Sequence, residues 1–288
     1  MGSGTGSELT DVRSAPVKAA IRLRKKSYRE HDGAFLAEGP QAVREALIEA
    51  TTNGSGVRDV FFTADARARH PELIAQAVAL GVPVRQASGH VLSELSDTVT
   101  PQGVVAVCDV LDVPLAAGLG TVVDGTAGSA AGPRIAVVLA GVRDPGNAGT
   151  VLRAADAAGA STVIFSDNSV DPYNGKCVRA SAGSLFHVRI VINVGVDTAI
   201  AALHASGCQV LAADGTTSAD SLDDVERDGG LSVPTAWIFG NEAWGLPAEI
   251  LRAVDRVVRV PLYGRAESLN LAAAAAVCLY ASARAQRS

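Results

Sequence analysis

The sequence predicts an α/β fold whose larger part contains a mostly parallel sheet. Candidate helices alternate with short apolar strands along most of the 288 residues. One of these strands, Ile135–Val142, is apolar throughout, as is typical of a parallel sheet buried on both faces. Hydrophobic residues make up 48% of the chain and charged residues 19%, which provides a core and excludes a disordered protein.

Charge, cysteine content and hydropathy exclude several classes of protein. The net charge of −5 excludes a globally basic nucleic-acid binder, although not a locally basic one. The four cysteines form no CxxC pair and have no histidine at zinc-ligand spacing, so we expect reduced thiols and no metal site. The longest apolar run, Leu271 to Ala281, is shorter than the roughly 20 residues that span a bilayer. The first residues contain no apolar signal core, so we expect a cytoplasmic protein.

A stretch rich in glycine, alanine and proline divides the chain. Residues 114–133 are predicted to be an interdomain linker, which could hold a short strand at Thr121–Val123. Before it, residues 1–12 are predicted to be a flexible tail and residues 13–113 a smaller α/β domain. After it, residues 134–288 are predicted to form a second domain.

In the first domain, apolar periodicity and breaker residues predict three helices and four strands. The helices are predicted at Pro16–Tyr28, Pro40–Ala50 and Pro71–Leu80. The strands are predicted at Phe35–Glu38, Val57–Thr63, Val82–Val84 and Val104–Val110.

A basic stretch lies at the start of this domain. Seven lysines and arginines fall between Arg13 and Arg29, with no acidic residue among them. The stretch could be a solvated helix face or a surface that binds a phosphate backbone. The lack of a compensating acid within it favours phosphate binding. Tyr28 beside it could stack on a base or belong to the core.

In the second domain, the alternation of strands and helices predicts the parallel sheet. Strands are predicted at Ile135–Val142, Thr162–Ser166, Val188–Val194, Gln209–Ala213, Ala236–Gly240 and Val257–Leu262. Helices are predicted at Asn147–Ala158, Lys176–Leu185, Asp197–Ser206, Pro247–Val254 and Leu269–Ala285. Parallel sheets bind ligands at the carboxyl ends of their strands, so the segments that follow the strands are the candidate functional segments.

Two of these segments carry polar side chains with two interpretations each. Asn147 and Arg153 follow the apolar strand on a glycine-rich turn, which could be turn chemistry alone or could hold a polar or anionic substrate at a helix N-terminus. Glu242 lies between two glycines after another strand. Such glycines let a ligand approach the backbone, so Glu242 is either a helix cap or a functional carboxylate.

The third segment runs from Val260 into an alanine-rich helix. Ser268 or Asn270 could be the N-cap of that helix or a functional side chain. The alanines Ala272 to Ala276 permit close approach of another helix. The chain has no GxGxxG fingerprint with an acidic residue about 20 positions further on, which disfavours a nicotinamide-dependent enzyme.

Taken together and in this order, the three segments carry the resemblance to a known family. NxGxxxR, GNExxGL and VPLxGxxxSLN resemble the signature motifs of the SpoU/TrmH branch of the SPOUT RNA methyltransferases, from about Arg134 to the C-terminus. The run FLAEGPQAVREAL at Phe35–Leu47 resembles the auxiliary, ribosomal-protein-like RNA-binding domain of that family.

The resemblance implies a fold and an activity. It implies a trefoil knot in the second domain, a homodimer packed through the knots, S-adenosylmethionine as the cofactor, and no metal. The implied reaction is methyl transfer to a ribose 2′-hydroxyl of RNA, with large-subunit (23S) rRNA favoured as the target. The alternatives are a tRNA 2′-O-methyltransferase and a non-catalytic RNA-binding or ribosome-assembly protein. Leu246, Pro247 and the last helix are the expected apolar dimer face.

The resemblance also implies site residues. The implied catalytic residues are Arg153, Asn147, Glu242, Ser268 and Asn270. An arginine stays protonated in proteins, so we expect Arg153 to stabilise oxyanion character or a phosphate. The implied cofactor contacts are Ala213, Asp214, Gly215, Ile238, Phe239, Gly240, Asn241, Glu242, Gly245, Leu262, Ser268, Leu269 and Asn270.

Candidate RNA contacts combine the basic stretch with two arginines of the second domain. They are Arg22, Arg24, Lys25, Lys26, Arg29, Arg153 and Arg179. Arg179 could instead be a salt-bridged helix residue, and we expect His187 to be structural.

Overall fold

The computed structural model describes residues 8–54, 56–120, 134–215 and 218–287. They fold into two compact units. Unit 1 comprises Met1–Leu111 together with Tyr173–His187, and unit 2 comprises Asp112–Pro172 and Val188–Ser288.

The first part of the chain forms short helices and strands in alternation. In chain order they are α1 (Ala15–Arg22), α2 (Lys26–Asp32), β1 (Ala34–Glu38), α3 (Pro40–Asn53), β2 (Val57–Phe62), α4 (Ala64–Arg69), α5 (Pro71–Ala79), β3 (Val84–Gln86), α6 (Gly89–Leu95), β4 (Val104–Asp109) and α7 (Leu115–Gly118). Local chemistry explains several starts. Pro40 and Pro71 occupy first turns, and the Thr63 and Ser88 side chains accept hydrogen bonds from the N–H groups of α4 and α6.

The remainder continues the alternation. Its elements are β5 (Ile135–Leu139), α8 (Pro145–Ala158), β6 (Thr162–Ser166), α9 (Gly175–Ser181), a 3-10 turn (Ser184–Phe186), β7 (Arg189–Val194), α10 (Val196–Ala205), β8 (Gln209–Ala213), β9 (Asp220–Ser221), α11 (Leu222–Arg227), β10 (Thr235–Phe239), α12 (Ala248–Ala253), β11 (Arg256–Arg259) and α13 (Leu271–Ala285).

Unit 1 is built on a four-stranded mixed sheet. The strand order is β1-β4-β2-β3, with β4 antiparallel to both neighbours and β2 parallel to β3. Val17, Phe61 and Leu92 are fully or almost fully buried in a core formed between the sheet and helices α1 and α6. This is the smaller α/β domain that the sequence predicts.

The segment Tyr173–His187 belongs to unit 1, which differs from the predicted continuous second domain. The ring of Phe35 lies 4.8 Å from that of Tyr173 and 6.0 Å from that of Phe186, measured between centroids. The Tyr173 hydroxyl accepts a hydrogen bond from the Leu111 N–H at 2.7 Å. These contacts join residues far apart in sequence, so local pattern could not indicate them.

Unit 2 contains a seven-stranded sheet in the order β7-β6-β5-β10-β8-β11-β9. Every neighbouring pair in it is parallel. The central strands β5 and β10 are buried at every position. The predicted α/β fold with a parallel sheet is therefore confirmed.

The predicted helix Pro16–Tyr28 is instead two helices, α1 and α2. The Arg29 guanidinium, 5% exposed as a residue, donates to the carbonyls of Leu23 and Arg24, which follow α1. It therefore supplies a partner for carbonyl groups at the end of the first helix, where the chain turns. The short helices α4, α6 and α11 were not predicted because six or seven residues hold too little of a helical period.

The predicted tail and linker are partly folded. Leu9 pairs with strand β3: its N–H donates to the Gln86 carbonyl at 2.9 Å. At the start of the predicted linker, Leu119 is 2% exposed, and the Thr162 hydroxyl donates to the Gly118 carbonyl at 2.6 Å. The structure thus places residues 114–120 in unit 2. The suggested strand at Thr121–Val123 lies outside the described residues.

The cysteines and the hydropathy agree with the sequence analysis. All four cysteines are free thiols, as predicted, and the structure buries all of them. Burial raises the pKa of the Cys278 thiol to about 12, which keeps it protonated at neutral pH. Within the described ranges, no helix combines the length and hydropathy needed to cross a membrane.

A buried hydrogen bond in unit 2 gives the first testable prediction. The indole N–H of Trp237 donates to the Ser282 hydroxyl at 2.9 Å, and both side chains are fully buried. Ser282→Ala should lower the free energy of unfolding by about 1–3 kcal/mol, because the indole N–H would lose its partner. Urea unfolding measures this change.

The matched control is Thr52→Ala. Thr52 is an exposed helical residue whose hydroxyl donates to the Ile48 carbonyl of its own helix. Its loss should stay within about 0.5 kcal/mol. Equal losses in the two variants would contradict the role assigned to Ser282.

Candidate functional site

A cleft of about 560 Å³ lies at the carboxyl ends of the neighbouring strands β8, β10 and β11. It also includes one residue of α8 and the loop that leads into α13. Its lining residues are Asn147, Ala213, Asp214, Gly215, Phe239, Gly240, Asn241, Glu242, Gly245, Val258, Arg259, Val260, Leu262, Glu267, Ser268, Leu269, Asn270, Leu271 and Ala274. The cleft therefore lies at the edge of the sheet where a parallel architecture places its ligands.

The structure brings the predicted cofactor contacts together, with one exception. Ile238 is fully buried and packs in the core of unit 2, because side chains of a central strand alternate between its two faces and both are covered. Sequence reasoning missed Val258 and Arg259 at the end of β11 and Val260 directly after it, all of which line the cleft. It also missed Glu267, Leu271 and Ala274, which flank the SLN motif.

The glycine-flanked loop after β10 is closed by its own backbone. Asn241 and Gly245 exchange both N–H to carbonyl hydrogen bonds, at 3.1 and 2.9 Å. A Cβ atom on Gly240 would lie 2.6 Å from the carbonyl carbon of Gly245, so only glycine fits there. The Asn241 amide also donates to the Gly141 carbonyl at 2.7 Å. The loop is thereby fixed to the segment that follows β5.

A chain of polar contacts joins the three motifs. Glu242 accepts hydrogen bonds from the Arg143 N–H at 3.3 Å, and from the Asp144 N–H and the Asn147 amide at 3.2 Å each. The Asn147 Oδ1 atom in turn accepts from the Asn270 amide at 2.9 Å. We call this set the Glu242–Asn147–Asn270 chain. It fixes the orientation of both amide groups.

The hydrogen bonds of the Glu242–Asn147–Asn270 chain decide between the alternative roles of Asn270 and of Glu242. Asn270 is the N-cap of α13, because its Oδ1 accepts from the Ala272 N–H at 2.9 Å, and it also contacts Asn147. Asn270 therefore both caps α13 and forms part of the site. Glu242 does not cap α12, whose N-cap is Pro247, and it binds the first turn of α8 instead.

Hydrogen bonding keeps the Glu242 carboxylate ionised. Partial burial acts to raise the pKa of Glu242, but hydrogen bonds from its own N–H, the Asn147 amide and the Arg143 and Asp144 N–H groups together hold it below the usual value. At neutral pH the ionised Glu242 carboxylate therefore only accepts hydrogen bonds, as the Glu242–Asn147–Asn270 chain requires.

The two remaining predicted catalytic residues are exposed. Arg153 lies on the solvent side of α8, and across the described ranges it has neither a hydrogen bond nor an ion pair. Ser268 is exposed and lines the cleft. Arg153 thus carries a positive charge that no acidic residue of the described chain neutralises.

The basic stretch contains no acidic residue, but acids outside it compensate it, which weakens the argument that favoured phosphate binding. Arg22 pairs with Asp32 at 2.8 Å, Arg24 with Asp97 at 2.7 Å, and Lys26 with Glu30 at 3.6 Å. The cations in these pairs are exposed, and exposed pairs contribute little free energy, so a phosphate could compete for them. Lys25 is exposed and has no ion pair within the described residues.

Two predicted RNA contacts are structural residues instead. The Arg29 guanidinium is buried and donates to backbone carbonyls, as described above. Arg179 donates to Glu38 at 2.8 Å, and only 25% of its side chain is exposed. His187 lies 3.2 Å from Glu45, which agrees with its predicted structural role. Neither arginine is available to a phosphate without breaking unit 1.

One residue of the predicted dimer face is misplaced. Leu246 is 7% exposed and belongs to the core of unit 2, together with Ile250. Pro247 is exposed, and on α13 Val277 and Tyr280 are 44% and 45% exposed. The apolar surface of the last helix is therefore open, whereas Leu246 contributes nothing to it.

Comparisons with known proteins agree with this geometry. Residues 134–280 match the SpoU rRNA Methylase family, and residues 15–106 match the MRM3-like substrate binding domain. The 23S rRNA (guanosine(2553)-2′-O)-methyltransferase RlmP of Bacillus subtilis is 32% identical over 95% of this chain and 98% of its own length.

Two solved structures are similar over nearly the whole chain. The AdoMet-bound rRNA methyltransferase from Sinorhizobium meliloti has a TM-score of 0.78 at 33% identity, with 98% of each chain covered. The SpoU methyltransferase AviRb from Streptomyces viridochromogenes, in complex with the cofactor AdoMet, has a TM-score of 0.74 at 27% identity, covering 96% of this chain and 98% of that one. The chain belongs to the SpoU rRNA methylase family.

Proposed function

We propose that this protein transfers a methyl group from S-adenosylmethionine to the 2′-hydroxyl of a ribose in 23S rRNA. The observation that carries the proposal is the Glu242–Asn147–Asn270 chain, which joins all three motifs at the mouth of one cleft. The relatives named as 23S rRNA 2′-O-methyltransferases support the choice of RNA.

The cleft fits S-adenosylmethionine in size and chemistry. Its volume lies within the roughly 300–1,000 Å³ of typical small-molecule sites. Asp214 and Glu267 line it, and carboxylates attract the positive charges of the sulfonium and ammonium groups. The glycines Gly240 and Gly245 leave backbone groups open to close approach. When bound, this cofactor supplies a methyl group that the sulfonium already activates.

Side chains that line the cleft would position the ribose, and Arg153, which lies on α8 and does not line the cleft, would hold charge. Arg153 remains protonated and has no acidic partner in the described chain, so it can stabilise negative charge that develops on the ribose oxygen, or hold a neighbouring phosphate. Glu242 holds the Asn147 amide in one orientation through a 3.2 Å hydrogen bond. Ser268 and Asn270 shape the loop at the mouth of the cleft. In this proposal the protein contributes mainly positioning and electrostatic stabilisation.

The proposal extends to the RNA and to assembly. Arg22, Arg24, Lys25 and Lys26 are exposed and would bind phosphates, whereas Arg29 and Arg179 are excluded from that role. A homodimer would cover the open face of α13 that contains Val277 and Tyr280. The trefoil knot of SPOUT enzymes would lie in unit 2, around the loops that line the cleft.

Methyl transfer to unmodified RNA, with Arg153→Ala as the variant, tests the function. Labelled S-adenosylmethionine is incubated with in vitro transcripts of 23S rRNA or tRNA, and the RNA is then hydrolysed with alkali. A 2′-O-methyl group blocks cleavage, so we expect label in an alkali-resistant dinucleotide from the 23S transcript. Arg153→Ala should lower kcat by about 10²–10³-fold, as loss of a charge-stabilising donor does elsewhere, with unchanged cofactor binding.

Arg153→Lys is the matched control. It keeps the charge but not the planar fork of donors, so its activity should lie between those of the wild type and the alanine variant. Label in mononucleotides would mean base methylation and would overturn the proposed reaction. Full turnover by Arg153→Ala would overturn the role of the arginine alone.

Gly240→Ala tests the cleft. The added methyl group would press against the Gly245 backbone and push the loop out of place, so the dissociation constant of S-adenosylmethionine should rise at least about tenfold, which corresponds to about 1.4 kcal/mol. Isothermal titration calorimetry measures it. Gly89→Ala is the control, since a Cβ there meets nothing within 4 Å and the residue lies in α6, outside the cleft. Equal affinities of the two variants would sink this assignment.

The lowered pKa of Glu242 predicts a dependence of stability on pH. A carboxyl with a lowered pKa in the folded state stabilises the fold above its ordinary pKa of about 4.3, and this contribution is lost as the pH falls through the lowered value. The stability difference between wild type and Glu242→Gln should therefore be constant near neutral pH and vanish in acid. Urea unfolding between about pH 3 and pH 7 measures it.

Asn147→Ala separates this effect from general acid unfolding. It removes one donor to Glu242 without adding a titratable group. The pKa of Glu242 should then move back toward its ordinary value, so the acid loss should be smaller in that variant and complete at a higher pH. An unchanged midpoint would show that Asn147 does not stabilise the carboxylate.

A further inference from the structure

The two tryptophans of the chain have opposite environments. Trp237 is fully buried, whereas Trp244 is 62% exposed. Trp244 lies in the loop that Asn241 and Gly245 close, so a large apolar ring is held in solvent on a short backbone-bonded turn. An exposed indole beside a functional site has the area and the flat face to stack on a ligand.

A guanidinium lies beside this indole. The Arg143 Cζ atom is 5.1 Å from the centroid of the Trp244 ring, which is a cation–π distance. The Arg143 N–H donates to Glu242, and Trp244 follows Glu242 by two residues. The Arg143 backbone is therefore bonded to the Glu242 carboxylate, and Trp244 lies two residues from it along the chain. In the described ranges Arg143 has no ion pair with an acidic residue.

The pair lies outside the cleft assigned to the cofactor. Glu242 and Gly245, on either side in the loop, line the cleft, but Trp244 and Arg143 do not. A molecule that contacts this pair would therefore lie outside the cleft and beside it. A flat aromatic ring with an unpaired cation beside it matches a nucleobase and its phosphate, because bases stack on tryptophan whatever their identity.

We propose that Trp244 and Arg143 form a stacking site for a nucleobase of the RNA, at the target nucleotide or next to it. The inference rests on the proposed function, since it names how that substrate is held. A base inside a helix is stacked on its neighbours, so the site takes a nucleotide that is splayed out of a single-stranded loop. Stacking holds the base in place and so keeps the attached ribose beside the Glu242–Asn147–Asn270 chain.

Charge favours RNA over a second protein chain as the occupant. Covering Trp244 with an apolar protein surface would also desolvate the unpaired Arg143 guanidinium, which is costly without a compensating anion. RNA brings a phosphate with every base. The ring and the guanidinium then both find partners in one ligand.

Steady-state kinetics with an in vitro 23S rRNA transcript test the site. Trp244→Leu removes stacking but keeps an apolar side chain, and should raise KM for the RNA about tenfold, within the range of stacking energies. We expect kcat and the affinity for S-adenosylmethionine to change less than about twofold. Trp244→Phe keeps an aromatic ring and should recover most of the affinity. Equal KM values for wild type and Trp244→Leu would overturn the inference, as would a loss of cofactor binding in parallel.

Tryptophan fluorescence provides a readout that needs no turnover. In the free protein acrylamide should quench Trp244, and the difference spectrum between wild type and Trp244→Phe isolates its signal from that of Trp237. Addition of the 23S transcript should quench Trp244 and protect it from acrylamide. Shielding of Trp244 before RNA is added, lost on dilution of the protein, would show that a second copy covers it and would overturn the inference. Stacking without methyl transfer would leave the site standing and reject the proposed reaction instead.

Discussion

The hydrogen-bonded chain from Glu242 through Asn147 to Asn270 is the constraint on which the site depends. The three members follow different strands of unit 2: Asn147 and Asn270 also bond within their own segments, and Glu242 bonds to the segment that follows β5. Glu242 binds the first turn of α8, and Asn270 caps α13. Because the Asn270 side chain caps α13 with its oxygen and binds Asn147 with its nitrogen, a shift of this side chain would disturb both the cap and the site. This coupling explains how three exposed loops hold one geometry.

The close approach of the Gly240 and Gly245 backbones in the loop after β10 is a second constraint on the site. A side chain at Gly240 would collide with Gly245, and Gly245 itself has a φ of +67°. The loop is thus too tight for any other residue at the first position and strained for most at the second. The same tightness leaves room for a ligand against the backbone and places Trp244 in solvent. A single conformational requirement therefore produces both a cofactor cleft and an exposed ring beside it.

The sequence pattern predicted those features that depend on residues close together in the chain. The apolar run at β5, the turns after the strands and the capping role of Asn270 are all visible within a dozen residues. The pattern could not show that Glu38 receives Arg179 or that Asp97 receives Arg24, because these partners lie 141 and 73 residues apart. The burial of Arg29 could not be predicted either, because the local sequence does not distinguish an arginine that donates to buried carbonyls from an exposed one. Long-range pairing, not composition, decides which charges remain available.

That distinction bears on how an acidic protein can bind RNA. With a net charge of −5, the chain must concentrate its unpaired cations where the RNA lies. Most of the basic stretch is held in ion pairs, whereas Arg153 on α8 and Arg143 before it have none in the described chain. When a phosphate replaces the acid of an existing ion pair, the loss of that pair offsets part of the free energy of binding. Each such replacement lowers the net gain from a phosphate contact, so recognition must draw on stacking and shape as well as on charge.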